Sequence, residues 1–300
     1  MSGFLARTIP IGCLVVGLLP APADCGQDIV LGLTVKDRQR TAYLHVPATL
    51  DPRKRYPLVI GYHGGGGNAQ GYIRQSKIFI KGERADVIIV CPQGTMLVMK
   101  GEHRVWNSGP EYRAATADAE DVAFTEALIR EVSARYAVDP KRVYATGFSN
   151  GGQMSYRIAL ELADKIAAIA PMSGGRLADG LRPSRPVPVL HFHGTADGFY
   201  PFEGGRGPYS IGRTPHAAIG AVIAQWCKFN GTQLLPESVR HAGWEARRFA
   251  GAAEVELILV EEMGHQIAGG ADDYLPHQAT RDQPDAVSMA LEFFAAHPIP

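Results

Sequence analysis

A chain of 300 residues is long enough to bury a sizeable core, either as one large α/β domain or as two ordinary ones. Its 30 basic residues are matched by 30 acidic ones, so no net field draws it to nucleic acid or to an anionic membrane surface, and neither is expected as a partner. With 46% hydrophobic and 20% charged residues it has the composition of an ordinary globular protein, without repeats or low-complexity tracts.

In chain order, the first segment is the exception. Arg7 is followed by an apolar run from Ile9 to Leu19 and then by Ala21-Pro22-Ala23, the order of a secretory signal peptide cleaved after Ala23. That leaves residues 24–300 as a single domain in a secreted or periplasmic protein. A short membrane anchor or a buried strand is the alternative, but the run falls short of the roughly 20 apolar residues that a span needs. No stable membrane insertion is expected after cleavage. Cleavage would remove Cys13 and leave Cys25, Cys91 and Cys227, an odd number that allows one disulfide without specifying the pair. There is no C-x-x-C, so neither a structural zinc site nor a thioredoxin-type pair is expected.

Asp28–Val35 and Thr41–Pro47 read as an antiparallel hairpin at a sheet edge. Pro57–His63 and Asp86–Pro92 are continuous apolar runs rich in Val and Ile, suited to strands covered on both faces. Asp118–Tyr136 places Val122, Ile129, Val132 and Tyr136 at helical spacing, with acids early and arginines late. Arg142–Gly147 is the next strand, after the turn signal Asp139-Pro140, and Met154, Ile158 and Leu162 recur every fourth residue in the helix that follows. "KIAAIAPMSG", "VPVLHFHG" and "VELILVEE" supply further strands, and "HAAIGAVIAQWCKFN" and "AVSMALEFFAAH" supply helices. Strand and helix are expected to alternate to the end of the chain, as an open, mostly parallel sheet with helices on both faces.

Within this order lies Gly147-Phe148-Ser149-Asn150-Gly151, a G-x-S-x-G between a strand and a helix. A serine hydroxyl is a poor nucleophile at neutral pH; a sharp strand-to-helix turn exposes it, and the helix N-terminus favours developing negative charge. The bland reading is a glycine-rich turn with Ser149 as helix N-cap. A nucleophile needs an acid and then a histidine at later strand ends. Asp197 follows the strand ending at Gly194, and His265 follows the one ending near Glu262. Asp179, Glu203 and His277 compete but lie further from strand ends. "YHGGGGN", Tyr62–Asn68, is an H-G-G-G-type loop whose backbone N–H at Gly64 or Gly65 would share an oxyanion with that of Asn150. Asn150 is expected to act through its backbone rather than its side chain. A phosphate-cradling loop is the alternative, but no lysine follows at Walker spacing. His191 and His193 share one strand face; they are expected to be hydrogen-bonded structural groups rather than metal ligands, and no metal is assigned.

"YHGGGGN", "CPQG", "VWNSG", "EDVAFTEALI", "GFSNGGQMSY", "HGTADGFYPFEGG" and "MGHQIAGG" occur in that order from about Thr41 to the C-terminus. Together they resemble the secreted polyhydroxybutyrate depolymerase-like and feruloyl esterase-like branch of the α/β-hydrolases. The resemblance implies an α/β-hydrolase fold, no cofactor, and hydrolysis of carboxylic esters through an acyl-enzyme. Its triad falls on Ser149, Asp197 and His265, and its oxyanion donors on Gly64 or Gly65 and Asn150. Trp106 and Asn107 match its W-N pair and would line the acyl pocket, unless the aromatic only packs the loop onto the sheet. Relatives often carry T-W-P-G after the histidine, where this chain has Gln266-Ile267-Ala268-Gly269, so Ile267 would face the pocket in place of an aromatic. Thr232 stands where relatives often have a cysteine. The expected substrate is a small-molecule or oligomeric ester, such as a hydroxybutyrate oligomer or a feruloyl or acetyl ester, because no Thr-rich linker or polymer-binding domain is seen. A serine peptidase on the same fold and a non-catalytic binding protein are the competing readings.

Overall fold

The protein's computed structural model describes residues 26–97, 103–109, 112, 116, 119–210, 215–271 and 283–300. The expected signal segment, Cys25 and His277 lie outside the described residues. The first strands, β1 (Gln27–Val35) and β2 (Arg38–Val46), form the expected hairpin. Its two-residue turn, Lys36-Asp37, has φ of 45° and 64°, the positive values that match the right-handed twist of paired strands.

Next come β3 (Tyr56–Tyr62), two short helices α1 (Ala69–Ser76) and α2 (Ile78–Arg84), and β4 (Ile88–Pro92). A minor ribbon, β5 (Thr95–Met96) with β6 (Arg104–Val105), precedes helix α3 (Asp121–Arg135). Strand β7 (Val138–Phe148) leads into α4 (Asn150–Glu161). After these come β8 (Ala168–Met172), β9 (Val189–Gly194), α5 (Ile219–Asn230), β10 (Glu237–His241), β11 (Trp244–Phe249), β12 (Val255–Val260) and α6 (Ala286–Ala296). The main sheet runs β1-β2-β4-β3-β7-β8-β9-β12-β11-β10. It is parallel from β4 to β12 and antiparallel at both margins.

Alternate residues of the central strands feed two separate cores. Leu58, Ile60 and Tyr62 of β3 pack with Phe124, Met154 and Trp226 under α3, α4 and α5, whereas Val59 joins Phe192, Val260 and Phe294 under α1, α2 and α6. Such double coverage is what continuous apolar strands call for. The chain places β4 on one side of β3 and β7 on the other, so the order reverses between β3 and β7. The crevice at the C-terminal ends of these two strands is where ligands meet open α/β sheets.

Three expectations need correction. The helix of 118–136 is shorter, and its most buried face carries Asp121, Phe124, Thr125, Leu128 and Val132; Val122, Ile129 and Tyr136 flank it, half-buried. The face is turned because Asp121 is drawn inward to the Arg40 guanidinium, 2.7 Å away. Strand β7 begins at Val138, and Asp139-Pro140 is an irregularity within it, where the register against β3 shifts between Tyr56 and Leu58. Finally, strand and helix do not alternate to the end: β10, β11 and β12 follow one another antiparallel. Glu237–His241 is exposed along its whole length and Trp244–Phe249 is largely half-exposed, so this hairpin carries no apolar run to announce it.

Cys91 in β4 and Cys227 in α5 are both buried thiols, in different cores, and do not pair with each other.

Helix α4 approaches the sheet too closely for a side chain at Gly151. A Cβ at Gly151 would lie 2.2 Å from the Tyr62 carbonyl oxygen and 2.6 Å from that of His63, and backbone atoms cannot move aside. Alanine normally improves a helix over glycine by about 1 kcal/mol. Here Gly151→Ala is expected to cost about 1–3 kcal/mol instead, through overpacking. A denaturant titration reads the sign directly.

Candidate active site

Ser149 sits between β7 and α4 with φ 57° and ψ −119°. Its backbone is pinned by Ser149 N–H donating to the Met172 carbonyl at 2.8 Å and by Gln153 N–H donating to the Ser149 carbonyl at 3.0 Å. Gly147, Gly151 and Gly174 make room: a Cβ on Gly174 would be 2.0 Å from the Ser149 carbonyl oxygen. Although Ser149 is the N-cap residue of α4, its side chain makes no capping bond. Its Oγ lies 2.8 Å from His265 Nε2 instead.

His265 Nδ1 is 2.7 Å from Asp197 Oδ2. The other carboxylate oxygen, Oδ1, accepts from Phe199 N–H at 2.9 Å and Tyr200 N–H at 2.8 Å, so both oxygens are committed. The Asp197 side chain is fully buried and that of His265 is 12% exposed. The loops that carry them are stitched together. Ala196 N–H donates to the Met263 carbonyl at 3.0 Å, Thr195 N–H to Val260 at 3.0 Å, and Glu262 N–H to Thr195 Oγ1 at 2.9 Å. Gly194 permits this contact, since its Cβ would meet the Met263 oxygen at 2.0 Å. The rings of Phe148 and Phe199 lie 4.8 and 5.1 Å from the imidazole of His265. Of the competing acids, Asp179 pairs with Arg176 at 3.1 Å and Glu203 is exposed; neither approaches His265.

The glycine loop faces this line of groups. A Cβ direction drawn at Gly65 points to Asn150 Cβ, 3.4 Å off, whereas that of Gly64 points to the Phe148 ring at 3.0 Å. Asn150 begins α4, where the first backbone N–H groups have no intrahelical acceptor. The loop is held by a residue to which sequence reasoning assigned no role. His63 Nδ1–H donates to the Gly64 carbonyl at 2.8 Å, and Gly94 N–H donates to His63 Nε2 at 3.0 Å, which fixes one neutral tautomer. Burial pushes His63 down to about 4, so it stays uncharged.

Four side-chain expectations are corrected here. Trp106 does not line a pocket: it is fully buried, its indole N–H donates to the His63 carbonyl at 2.9 Å, and its ring packs on Tyr62 and His63. Asn107 is spent on the framework as well, donating from its backbone to Asp121 Oδ2 at 2.7 Å and from Nδ2 to the Ala119 carbonyl at 3.2 Å. Ile267 is buried in the core beneath α6. The Asn150 side chain matters as much as its backbone. Oδ1 accepts from Trp106 N–H at 2.7 Å, and Nδ2 donates to Ser108 Oγ at 2.8 Å. Two polar bonds from one buried amide were invisible in sequence because their partners are over forty residues away.

His191 and His193 are fully buried and linked to each other, Nε2 to Nδ1, at 3.2 Å. Tyr156 OH lies 2.9 Å from His191 Nδ1, and His193 Nε2 lies 2.8 Å from the Tyr200 carbonyl. Every ring nitrogen is used within the protein. Among the described residues, no group of three or more His, Cys, Asp or Glu side chains is arranged to hold a metal ion. No helix among them is long and apolar enough to cross a membrane.

A serine at a strand-turn-helix junction, beside the order reversal of a mostly parallel sheet and joined to a histidine and an acid from later strand ends, defines an α/β-hydrolase. A family model for esterase PHB depolymerase matches residues 40–182. The NocK protein of Nocardia uniformis subsp. tsuyamanensis is 35% identical over 287 residues, covering 87% of this chain and 80% of its own. Feruloyl esterase B of Piromyces equi is also 35% identical, over 199 residues and 64% of this chain, and the match spans only 36% of that longer protein. An acetyl xylan esterase from Aspergillus awamori shares the fold with a TM-score of 0.60 at 16% identity, covering 79% of this chain and 94% of that one. The chain belongs to the esterase PHB depolymerase family, the polyhydroxybutyrate depolymerase-like and feruloyl esterase-like branch of the α/β-hydrolases, whose members are carboxylic ester hydrolases.

The buried histidines make stability depend on pH with a definite sign. Burial lowers His63 and His193 from 6.5 to about 4 and His191 well below 6.5, so the unfolded chain takes up these protons first. Stability is therefore full above pH 6.5 and falls as the pH drops toward about 4, each histidine contributing on the order of 1 kcal/mol per pH unit. His297 acts in the opposite sense: burial lowers it, but the Glu254 carboxylate and the hydrogen bond to the Phe293 carbonyl together outweigh that and raise it. Burial also raises the Asp121 and Glu256 carboxyls, which offsets part of the loss as the pH falls; denaturant midpoints at pH 7.5 and 5.5 are expected to show a net loss at the lower pH.

Proposed function

We propose that Ser149, His265 and Asp197 form the catalytic triad of an exported serine esterase. The observation that carries the reading is the continuous line of contacts, Oγ to Nε2 at 2.8 Å and Nδ1 to Oδ2 at 2.7 Å, ending on a carboxylate with both oxygens committed. As Ser149 Oγ attacks an ester carbonyl carbon, its proton passes to His265 Nε2, and Asp197 stabilises the imidazolium. The tetrahedral oxyanion lies between the backbone N–H of Gly64 or Gly65 and that of Asn150. The imidazolium then protonates the leaving alkoxide, and a water activated by the same nitrogen releases the acid from the acyl-enzyme.

Small or oligomeric esters are the proposed substrates, hydroxybutyrate oligomers and feruloyl or acetyl esters among them. The names of the relatives and the family support this class. Export would follow from the segment Arg7–Ala23, and N-terminal sequencing of the released protein is expected to begin at Asp24.

Ser149→Ala is expected to lower hydrolysis of a short-chain chromogenic ester by about 10,000-fold or more while the fold persists. Equal rates for the two proteins would sink the triad assignment. A panel of acetyl, butyryl, hydroxybutyryl and feruloyl esters then ranks the acyl groups by kcat/KM.

A further inference from the structure

We propose that His193, backed by His191 and Tyr156, is a positioning residue that holds Asp197 in register with His265 through the main chain of Tyr200. The inference rests on the triad reading above.

The direction of the buried chain follows from its last member. The Tyr200 carbonyl can only accept, so His193 Nε2 carries the hydrogen and donates across 2.8 Å. A neutral His193 then offers a lone pair at Nδ1, which accepts from His191 Nε2–H at 3.2 Å. His191 Nδ1 is left to accept from the Tyr156 hydroxyl at 2.9 Å. With both rings neutral, one assignment of tautomers satisfies every nitrogen. Burial supports that state, lowering both histidines and raising the Tyr156 phenol well above its ordinary value.

Tyr200 is where this chain meets the site. Its N–H donates to Asp197 Oδ1 at 2.8 Å, its carbonyl accepts from His193, and its hydroxyl donates to the Gly175 carbonyl, one residue beyond the glycine packed against Ser149. With Oδ1 tied to Tyr200, Oδ2 is turned toward His265 Nδ1. If the Tyr200 carbonyl lost its donor in this dry setting, it would be left unsatisfied, and the turn that aims the carboxylate would relax.

A core position that needed only volume would be filled at lower cost by an apolar side chain than by two imidazoles. The charged and titratable groups around the pair are Asp197, 3.8 Å from His193 Nε2, His265 beyond it, His216 stacked on Tyr200 at 4.0 Å, and the Tyr156 phenol and Cys227 thiol on the helix side. A neutral His193 leaves the Asp197 charge to His265, the group that gains a proton during turnover.

The test compares His193→Phe, His193→Gln and Tyr156→Phe by ester hydrolysis over pH, with circular dichroism and melting as controls for folding. His193→Phe is expected to lower kcat by about 10- to 100-fold with KM within about twofold. The acid limb of kcat/KM is expected to move to lower pH, because a carboxylate that has drifted from Nδ1 favours the imidazolium less. His193→Gln, whose amide can still donate to the Tyr200 carbonyl, is expected to recover most of both effects. If His193→Phe does not fold, Tyr156→Phe decides, since it removes only the far end of the chain; it is expected to shift the limb the same way with a smaller loss of kcat. A folded His193→Phe with unchanged kcat and acid limb overturns the proposal. So does an activity loss with the limb unmoved, or an unaltered profile in Tyr156→Phe when that variant decides. Failure of the triad reading is distinguishable, because it appears as Ser149→Ala matching wild type before any of these variants is compared.

Discussion

At Ser149 the chain leaves β7 and enters α4 through φ 57°, a region that a residue with a Cβ occupies at a cost of about 1–3 kcal/mol. Everything else in the crevice is arranged so that this turn holds. Ser149 N–H is taken up by β8 through Met172; glycines stand at 147 and 151, where a Cβ would strike the Tyr62 carbonyl, and at 174, where it would strike Ser149 itself. A serine in an ordinary N-cap conformation would bond its own helix. The left-handed turn instead points Oγ away from the helix and into reach of His265, while leaving the first N–H groups of α4 open to an anion.

Around that turn the polar groups are anchored at both ends. Asp197 commits one oxygen to backbone donors and the other to His265, so its orientation does not depend on the histidine alone. On the opposite wall, Asn150 grips the backbone of Trp106, and the Trp106 indole and the His63 ring grip the glycine loop. Behind Asn107 lies the Arg40–Asp121 pair, 7% and 0% exposed, which joins β2 to α3 and carries the Arg40 guanidinium 4.1 Å over the Phe124 ring. Burying such a pair yields little net stability, but only one arrangement satisfies it, and that arrangement sets where residues 106 and 107 lie.

The motifs of the site were legible because they pair strand ends with glycines that the local geometry requires. G-x-S-x-G, H-G-G-G, Asp197 and His265 could all be placed on the same edge of the sheet from apolar runs and turn residues alone. Their neighbours could not. Trp106 and Asn107 carry a recognisable spelling, yet a dipeptide does not reveal whether its side chains face a cleft or a neighbouring backbone. The face of α3 was misplaced because hydropathy counted Asp121 as solvent-facing, when its partner Arg40 lies 81 residues earlier. The β10–β11 hairpin escaped notice because a half-exposed edge ribbon has no apolar period to detect.

By itself, then, the sequence determined the alternating core of the sheet, the turn at Ser149, and the Asp197 and His265 that come into line with it, because these depend on short-range periodicity and on backbone conformations that few residues adopt. Only the tertiary structure decided which side chains support those groups. The grip of Asn150 on Trp106, the tautomer of His63 and the buried line from Tyr156 through His191 and His193 to Tyr200 all join residues from different elements. Hydrogen bonds of that kind are set by distance and direction in space, and a linear sequence carries neither.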